Sequence, residues 1–171
     1  VRHFASIRDF QAFARTELPA LLAEGKQAGL RQAARIIGNE MRGEIGEYQH
    51  GDAGFDDMAE LAPGTLHGFG PVPGKIALGQ ATEANHRPLE ATGQMRSSIG
   101  ETVGIDAAAI GTDDPVAVYQ NQGTDSRGVP YRKGETTAPG VPGREFVGRA
   151  GFRAAPDAVA AIRAAIIKAI T

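Results

Sequence analysis

The chain contains no cysteine. That removes a disulfide framework, a thiolate metal site and a sulfur nucleophile together, and it makes folding suited or indifferent to a reducing compartment. Aromatic residues are only 6% of the 171, whereas glycine alone numbers 23, so a finely packed core rich in small residues is expected. Long apolar runs are missing as well. No stretch of about 18 apolar residues occurs, and the first residues lack the basic, apolar and small-residue succession of a signal peptide. A soluble, non-exported chain is the expectation. Its length fits one domain, 1–171, with a single core.

Recognisable catalytic chemistry is equally scarce. The four histidines, His3, His50, His67 and His86, are scattered, with none at the i, i+4 spacing of a helical metal motif. The run Gly51 to Asp57 has glycines and carboxylates but not the alternating ligands or the closing Glu of an EF-hand. Gly68 to Gly74 is glycine-rich, yet Pro71 and Pro73 remove N–H donors that a phosphate cradle needs, and no Gly-Lys-Ser/Thr follows. Ser97 and Ser98 do not sit in a nucleophile elbow. Asp113 and Asp114 precede Pro115 in what reads as a turn, which suits a solvated loop better than an acid/base pair. No catalytic residue, metal ligand or cofactor site is expected, and no enzyme.

What the chain does have is uneven charge. The net charge of -2 divides into +1 over residues 1–47, -8 over 48–126 and +5 over 127–171. Such opposition suits either segments facing each other within one subunit or subunits packing head to tail. The basic set Arg127, Arg132, Lys133, Arg144, Arg149 and Arg153 has the charge to meet DNA phosphates, but aromatic interleaving is slight and the whole chain is mildly acidic, so subunit contacts are the better reading.

The periodicity predicts N-terminal helices over 6–48. Ser6 and Asp9 mark a cap, Ile7, Phe10, Phe13 and Ala14 follow at helical spacing, and Pro19 separates this short helix from a long one. In the second, Leu18 to Tyr48 carry one apolar face against a polar one bearing Glu24, Arg31, Arg35 and Asn39. Gly25 and Gly29 fall on the apolar face, which fits either a close approach of another backbone or a frayed helix. Residues 49–87 read as a long extended arm punctuated by Gly and Pro. It holds too many apolar groups for a solvated linker, so it is expected to bury them on its own core or on a neighbouring subunit. Pro88 to Ile99 reads as a short helix. Glu101–Ile105 and Ala107–Thr112 read as strands. Val116, Val118 and Tyr119 fit a strand or a helical turn, 123–143 a loop, and Phe146 and Val147 a strand or turn. A final amphipathic helix is expected from about Pro156. The fold class is therefore α+β: a small antiparallel sheet against long N-terminal and C-terminal helices, with a long extended loop.

Four elements stand in order along about half of the chain. They are Phe55 leading to Leu61-Ala-Pro-Gly-Thr65; Leu89-Glu-Ala-Thr92-Gly93-Gln-Met95-Arg-Ser-Ser98-Ile99; Gln120-Asn-Gln-Gly123; and Pro142-Gly-Arg144-Glu-Phe146-Val147-Gly148. This ordered set resembles the bacteriophage tail-completion family, with Met95, Glu145 and Phe55 at positions where that family more often has Leu, Pro and Trp. A related head-to-tail joining family shares the Thr-Gly-x-x-x-x-Ser-Ile and Arg-x-Phe elements. The resemblance implies a virion structural protein, assembled in the host cytoplasm, that rings the head-proximal end of a tail and finishes or joins it. It implies as partners further copies of itself in a hexamer or dodecamer, tail tube or terminator proteins, a connector or adaptor, and genomic DNA in passing, with no membrane. Alternatives are a neck protein on the portal or adaptor, and a non-phage nucleic-acid-binding or interaction module. Arg144 and Phe146 are the residues picked for an interface or for locking the C-terminal segment, the plainer alternative being Phe146 as core and Arg144 as a surface charge, with Phe55, Leu61, Arg132 and Lys133 as further interface candidates.

Overall fold

The computed structural model describes residues 2–51, 55–58, 60, 66–69, 71–79, 82, 89, 93–124 and 142–171. The described elements are α1 (Ile7–Thr16), α2 (Leu18–Glu44), β1 (Gly68–Phe69), β2 (Val72–Pro73), α3 (Gln94–Ser97), β3 (Gly100–Val103), β4 (Ala108–Gly111), α4 (Pro115–Gln122) and α5 (Phe146–Ile170). The class is α+β as expected, with two separate two-stranded antiparallel sheets.

The architecture rests on α2 and α5, 27 and 25 residues long, which pack antiparallel over much of their length. Glycine makes that packing tight. A Cβ added at Gly29 would lie 2.7 Å from the Ile162 Cα, and one at Gly25 would lie 2.8 Å from the Ile166 Cα and 2.9 Å from the Ala169 Cβ. Of the two readings of these glycines, close backbone approach is the one observed. Small residues on the facing side of α5, Ala150, Ala154 and Ala158, are buried for the same reason.

The hairpin of β3 and β4 pairs Gly100 with Gly111 through Val103 with Ala108 and lies on α2. Two polar contacts fix it there. Arg42 grips the Glu101 carboxylate at 3.1 Å and donates to the Ile99 carbonyl at 2.7 Å. At the tip, Gln27 donates to the Gly104 and Ile105 carbonyls, and Lys26 pairs with Asp106. The core between hairpin and helices gathers Met41, Ile45, Met95, Ile99, Ala117, Phe146 and Ala150, with Ile37, Leu89 and Ile110 packed on it.

Several sequence expectations change. The long helix stops at Glu44, short of Tyr48, because Ile45 turns extended (ψ 121°) and Gly46 takes φ 99°. Pro88 to Ile99 is not one helix: Leu89 (φ 62°) and Gly93 (φ 76°) are left-handed, and the helix described within this stretch is Gln94–Ser97. Val116 to Tyr119 lie in a helix, started by Pro115 and capped by the Asp114 carboxylate accepting from the Val116 N–H at 2.9 Å.

The largest correction concerns Phe146 and Val147. They form neither strand nor turn but open α5, which runs straight through Pro156. Proline there removes one intrahelical bond, normally a strong stop signal. Pro156 is exposed, so water can serve the freed carbonyl, while buried Phe146, Ala150, Ala154 and Ala158 hold the rod together from the opposite side.

Within the arm, the described residues are not structureless. β1 and β2 make a short hairpin, the Ile76 N–H donates to the Leu66 carbonyl at 3.1 Å, and Met58 and Leu66 are buried in the chain's own interior.

Candidate functional site

Motif elements far apart in sequence converge at the N-terminal end of α5. Gly93, with its left-handed backbone, starts α3, where a side chain would be strained, and so explains the Thr-Gly step. From α3, Met95 and Ile99 enter the core, and the Ser98 hydroxyl donates to the Met95 carbonyl at 2.8 Å while sharing a short hydrogen bond with the Thr112 hydroxyl. Thr112 in turn accepts from the Asp114 N–H at 3.0 Å. A polar chain thus runs from α3 to the start of α4.

The other end of α4 meets α5. Gly123 (φ 79°) closes α4, its N–H donating to the Tyr119 carbonyl at 2.8 Å. The segment before α5 then lies along the last turn of α4. Arg144 N–H donates to the Gln120 carbonyl at 2.9 Å and Glu145 N–H to the Asn121 carbonyl at 3.1 Å. A Cβ at Gly143 would sit 2.8 Å from the Gln122 carbonyl oxygen, so this position admits glycine only. Side chains add to the joint: Arg144 Nη1 donates to Gln120 Oε1 at 3.0 Å, and Asn121 Oδ1 accepts the Val147 N–H, also at 3.0 Å.

Asn121 therefore caps α5 from another helix. Glu145, the residue in the capping position, makes no side-chain cap and is itself left-handed at φ 26°. One of the four orphan N–H groups at the helix start is satisfied by Asn121 instead. Replacing Asn121 with Ala is expected to lower stability by about 1 kcal/mol, whereas Asn121→Asp keeps the acceptor and favours the helix dipole, leaving stability close to wild type. Urea unfolding of the two variants side by side checks this.

Arginines then tie the irregular chain after α2 to this joint. Arg96 donates to the Ile45 carbonyl, Arg149 to the His50 carbonyl at 3.1 Å and Arg144 to the Glu60 carbonyl at 3.4 Å. Arg153 bridges the fully buried Glu44 carboxylate at 2.8 Å and the Gln49 side chain. The Arg149 guanidinium also lies over the Phe55 ring, 5.4 Å from its centre, and Phe55 meets Phe152 edge-on at 6.4 Å. Gly148 makes room for Phe55: a Cβ there would be 3.1 Å from the ring. Guanidinium forks suit this task because each can serve a carbonyl while its face stacks on an aromatic ring.

Three of the six interface candidates, Arg144, Phe146 and Phe55, lie among the described residues. Phe146 is 0% exposed in the chain's own core, and Arg144 is 5% exposed, so this pair locks the C-terminal segment in the single chain. Burial pushes the Arg144 pKa down from its ordinary value, with Tyr48 pulling the other way. Phe55 is half-buried against α5. Leu61, Arg132 and Lys133 lie outside the described residues, as do Arg127, Thr65 and Thr92. Sequence reasoning missed Asn121 as a cap and Arg96, Arg149 and Arg153 as ties. The signal for the last two was there, as two arginines one turn apart among alanines on the facing side of α5.

Among the described residues, no three His, Asp or Glu side chains gather to hold a metal ion, and no helix is long and apolar enough to cross a membrane. Comparison with protein-family models, curated proteins and solved structures finds no match for the chain.

Proposed function

We propose that this chain is a bacteriophage virion structural protein that forms a ring at the head-proximal end of the tail and completes it or joins it to the head. The observation that carries the reading is the convergence just described. The Thr-Gly/Ser-Ile element, the Gln-Asn-Gln-Gly turn, the Arg-x-Phe-x-Gly element and the leading aromatic Phe55 are separated by up to about half the chain. They nevertheless pack or hydrogen-bond around the start of α5: Met95 and Ile99 share the core with Phe146, the last turn of α4 bonds to Arg144 and Val147, and Phe55 lies against Gly148 and Arg149. The apolar members share one core and the polar members of the last two elements bond α4 to the start of α5, which supports reading them as parts of one fold.

In this reading the protein works by shape and complementary surfaces, without chemistry at a bound group. The nucleic-acid alternative loses ground because half of the basic set is engaged inside the chain: Arg144 and Arg149 are buried, and Arg153 is tied to Glu44 and Gln49. Such groups cannot release counterions from a phosphate backbone. The test is electron microscopy of lysates made with this reading frame deleted from the parent phage or prophage. Full heads and free tails lying apart are expected, and normal virions would refute the proposal.

A further inference from the structure

The hairpin of β3 and β4 has an outer edge that its own chain leaves unpaired. The Gly104 N–H donates to the Ala107 carbonyl at 2.8 Å, and the register continues from there without a bulge, Val103 opposite Ala108 and Glu101 opposite Ile110. In an antiparallel pair, residues that exchange main-chain hydrogen bonds alternate with residues that do not. Gly104, Thr102 and Gly100 therefore turn their main-chain groups into the hairpin, whereas Val103 and Glu101 turn theirs outward. Among the described residues, nothing bonds those outward N–H and C=O groups. A strand edge of this kind, with neither proline nor bulge to blunt it, is a template for a further strand.

The outward position just before β3 shows which way this edge faces. It is Ile99, whose carbonyl accepts from the Arg42 guanidinium at 2.7 Å, so the edge lies over the side of α2 that carries Arg42. Asn39, Arg35 and Arg31 recur on that same side at helical spacing, and all three are exposed. They sit between Arg42, which holds the start of the hairpin, and Gln27, which holds its tip. Neither Arg31 nor Arg35 has an acidic partner among the described residues. The nearby carboxylates do not offset them: Glu101 is matched by Arg42 and Asp106 by Lys26, and Glu24 stands about two turns from Arg31.

We propose that β3 accepts an extended acidic segment of a partner protein as a third strand, its main chain bonding the outward groups of Glu101 and Val103 and its carboxylates meeting Arg31 and Arg35. The spacing fits. Arg31 and Arg35 are about 6 Å apart along the helix axis, and alternate side chains of a strand, which share one face, are about 6.6–6.8 Å apart. Strand addition draws affinity from the main chain and specificity from alternate side chains, and guanidinium forks are suited to selecting carboxylates. The edge is present whatever the chain assembles into, so failure of this proposal leaves the deletion test of the proposed function untouched.

The experiment is an amide NMR titration of the full chain with a short peptide of alternating threonine and glutamate, set against the same peptide with lysine for glutamate. The amides of Glu101 and Val103 are expected to shift with the acidic peptide, and the lysine peptide to bind about tenfold more weakly or worse. Arg31→Glu combined with Arg35→Glu is expected to reverse that preference, an outcome that misfolding does not produce. Val103→Pro removes one outward N–H while leaving the hairpin's own ladder intact, and is expected to weaken the acidic peptide about tenfold. No shift of these amides at millimolar peptide, or equal affinity for the two peptides, would overturn the proposal. Concentration-dependent shifts of the same amides without peptide would overturn it in favour of a second copy of the chain. Tighter binding of single-stranded DNA, unchanged by Val103→Pro, would overturn it in favour of a nucleic acid.

Discussion

Replacing Phe146 with Ala is expected to lower the free energy of unfolding by about 3–5 kcal/mol, read as a drop in the urea midpoint at unchanged slope. The ring is fully buried among Met41, Ile45, Met95, Ile99, Ala117 and Ala150, and it stands at the point where α5 joins α4. Truncation leaves a cavity at a crossing of three elements, where collapse is restrained by the backbone bonds of Arg144 and Glu145 to α4. Against a typical total stability of about 5–15 kcal/mol, the variant stands near the edge of folding. Phe146→Leu, which retains most of the volume, is expected to cost markedly less. A loss below about 1 kcal/mol for the Ala variant would mean that the joint is not organised around this ring.

Gly29→Val is the second large effect, expected to destabilise by about 1–3 kcal/mol or more through overpacking. Its Cβ would need to share space with the Ile162 backbone at 2.7 Å, and backbone cannot rotate aside as a side chain can. The sign of a smaller change is more telling. Helix propensity alone says that Gly→Ala in a helix gains roughly 0.5–1 kcal/mol. Gly43→Ala is expected to show that gain, since nothing lies within 4 Å of a Cβ there. Gly29→Ala is expected to lose stability despite it. Thermal unfolding of both variants decides, and equal gains would show that α2 and α5 are further apart than described.

These two positions also show what was legible in the sequence. The apolar stripe from Leu18 onward made α2 readable, and glycines on that stripe pointed to a close approach whose partner, α5, no local pattern could name. The strands β3 and β4 were readable from short β-rich runs set off by Gly104, Asp106 and Gly111. The start of α5 was not. Pro156 carries a local signal for a helix beginning, and the tertiary packing that overrides it comes from Met41, Ile45 and Met95, which lie far off in sequence. Left-handed Leu89 and Glu145 were equally unreadable, because residues other than glycine adopt that conformation only where the surroundings impose it. At the candidate site, Arg144 and Phe146 were chosen for the right segment. Phe146 as core was one of the open readings; the burial of Arg144 was not legible, since its partners come from α4 and from the chain after α2.

In the proposed function, the joint at the start of α5 organises the subunit of a ring that ends a phage tail. Electron microscopy of a deletion lysate of the parent phage or prophage, with the wild-type chain supplied in trans as a control, tests that claim most directly. Full heads and complete tails lying unattached, and joined again on complementation, are the predicted result. Tail ends with or without a terminal ring would then distinguish tail completion from a head-bound neck. Normal, infectious particles formed without the chain would contradict it.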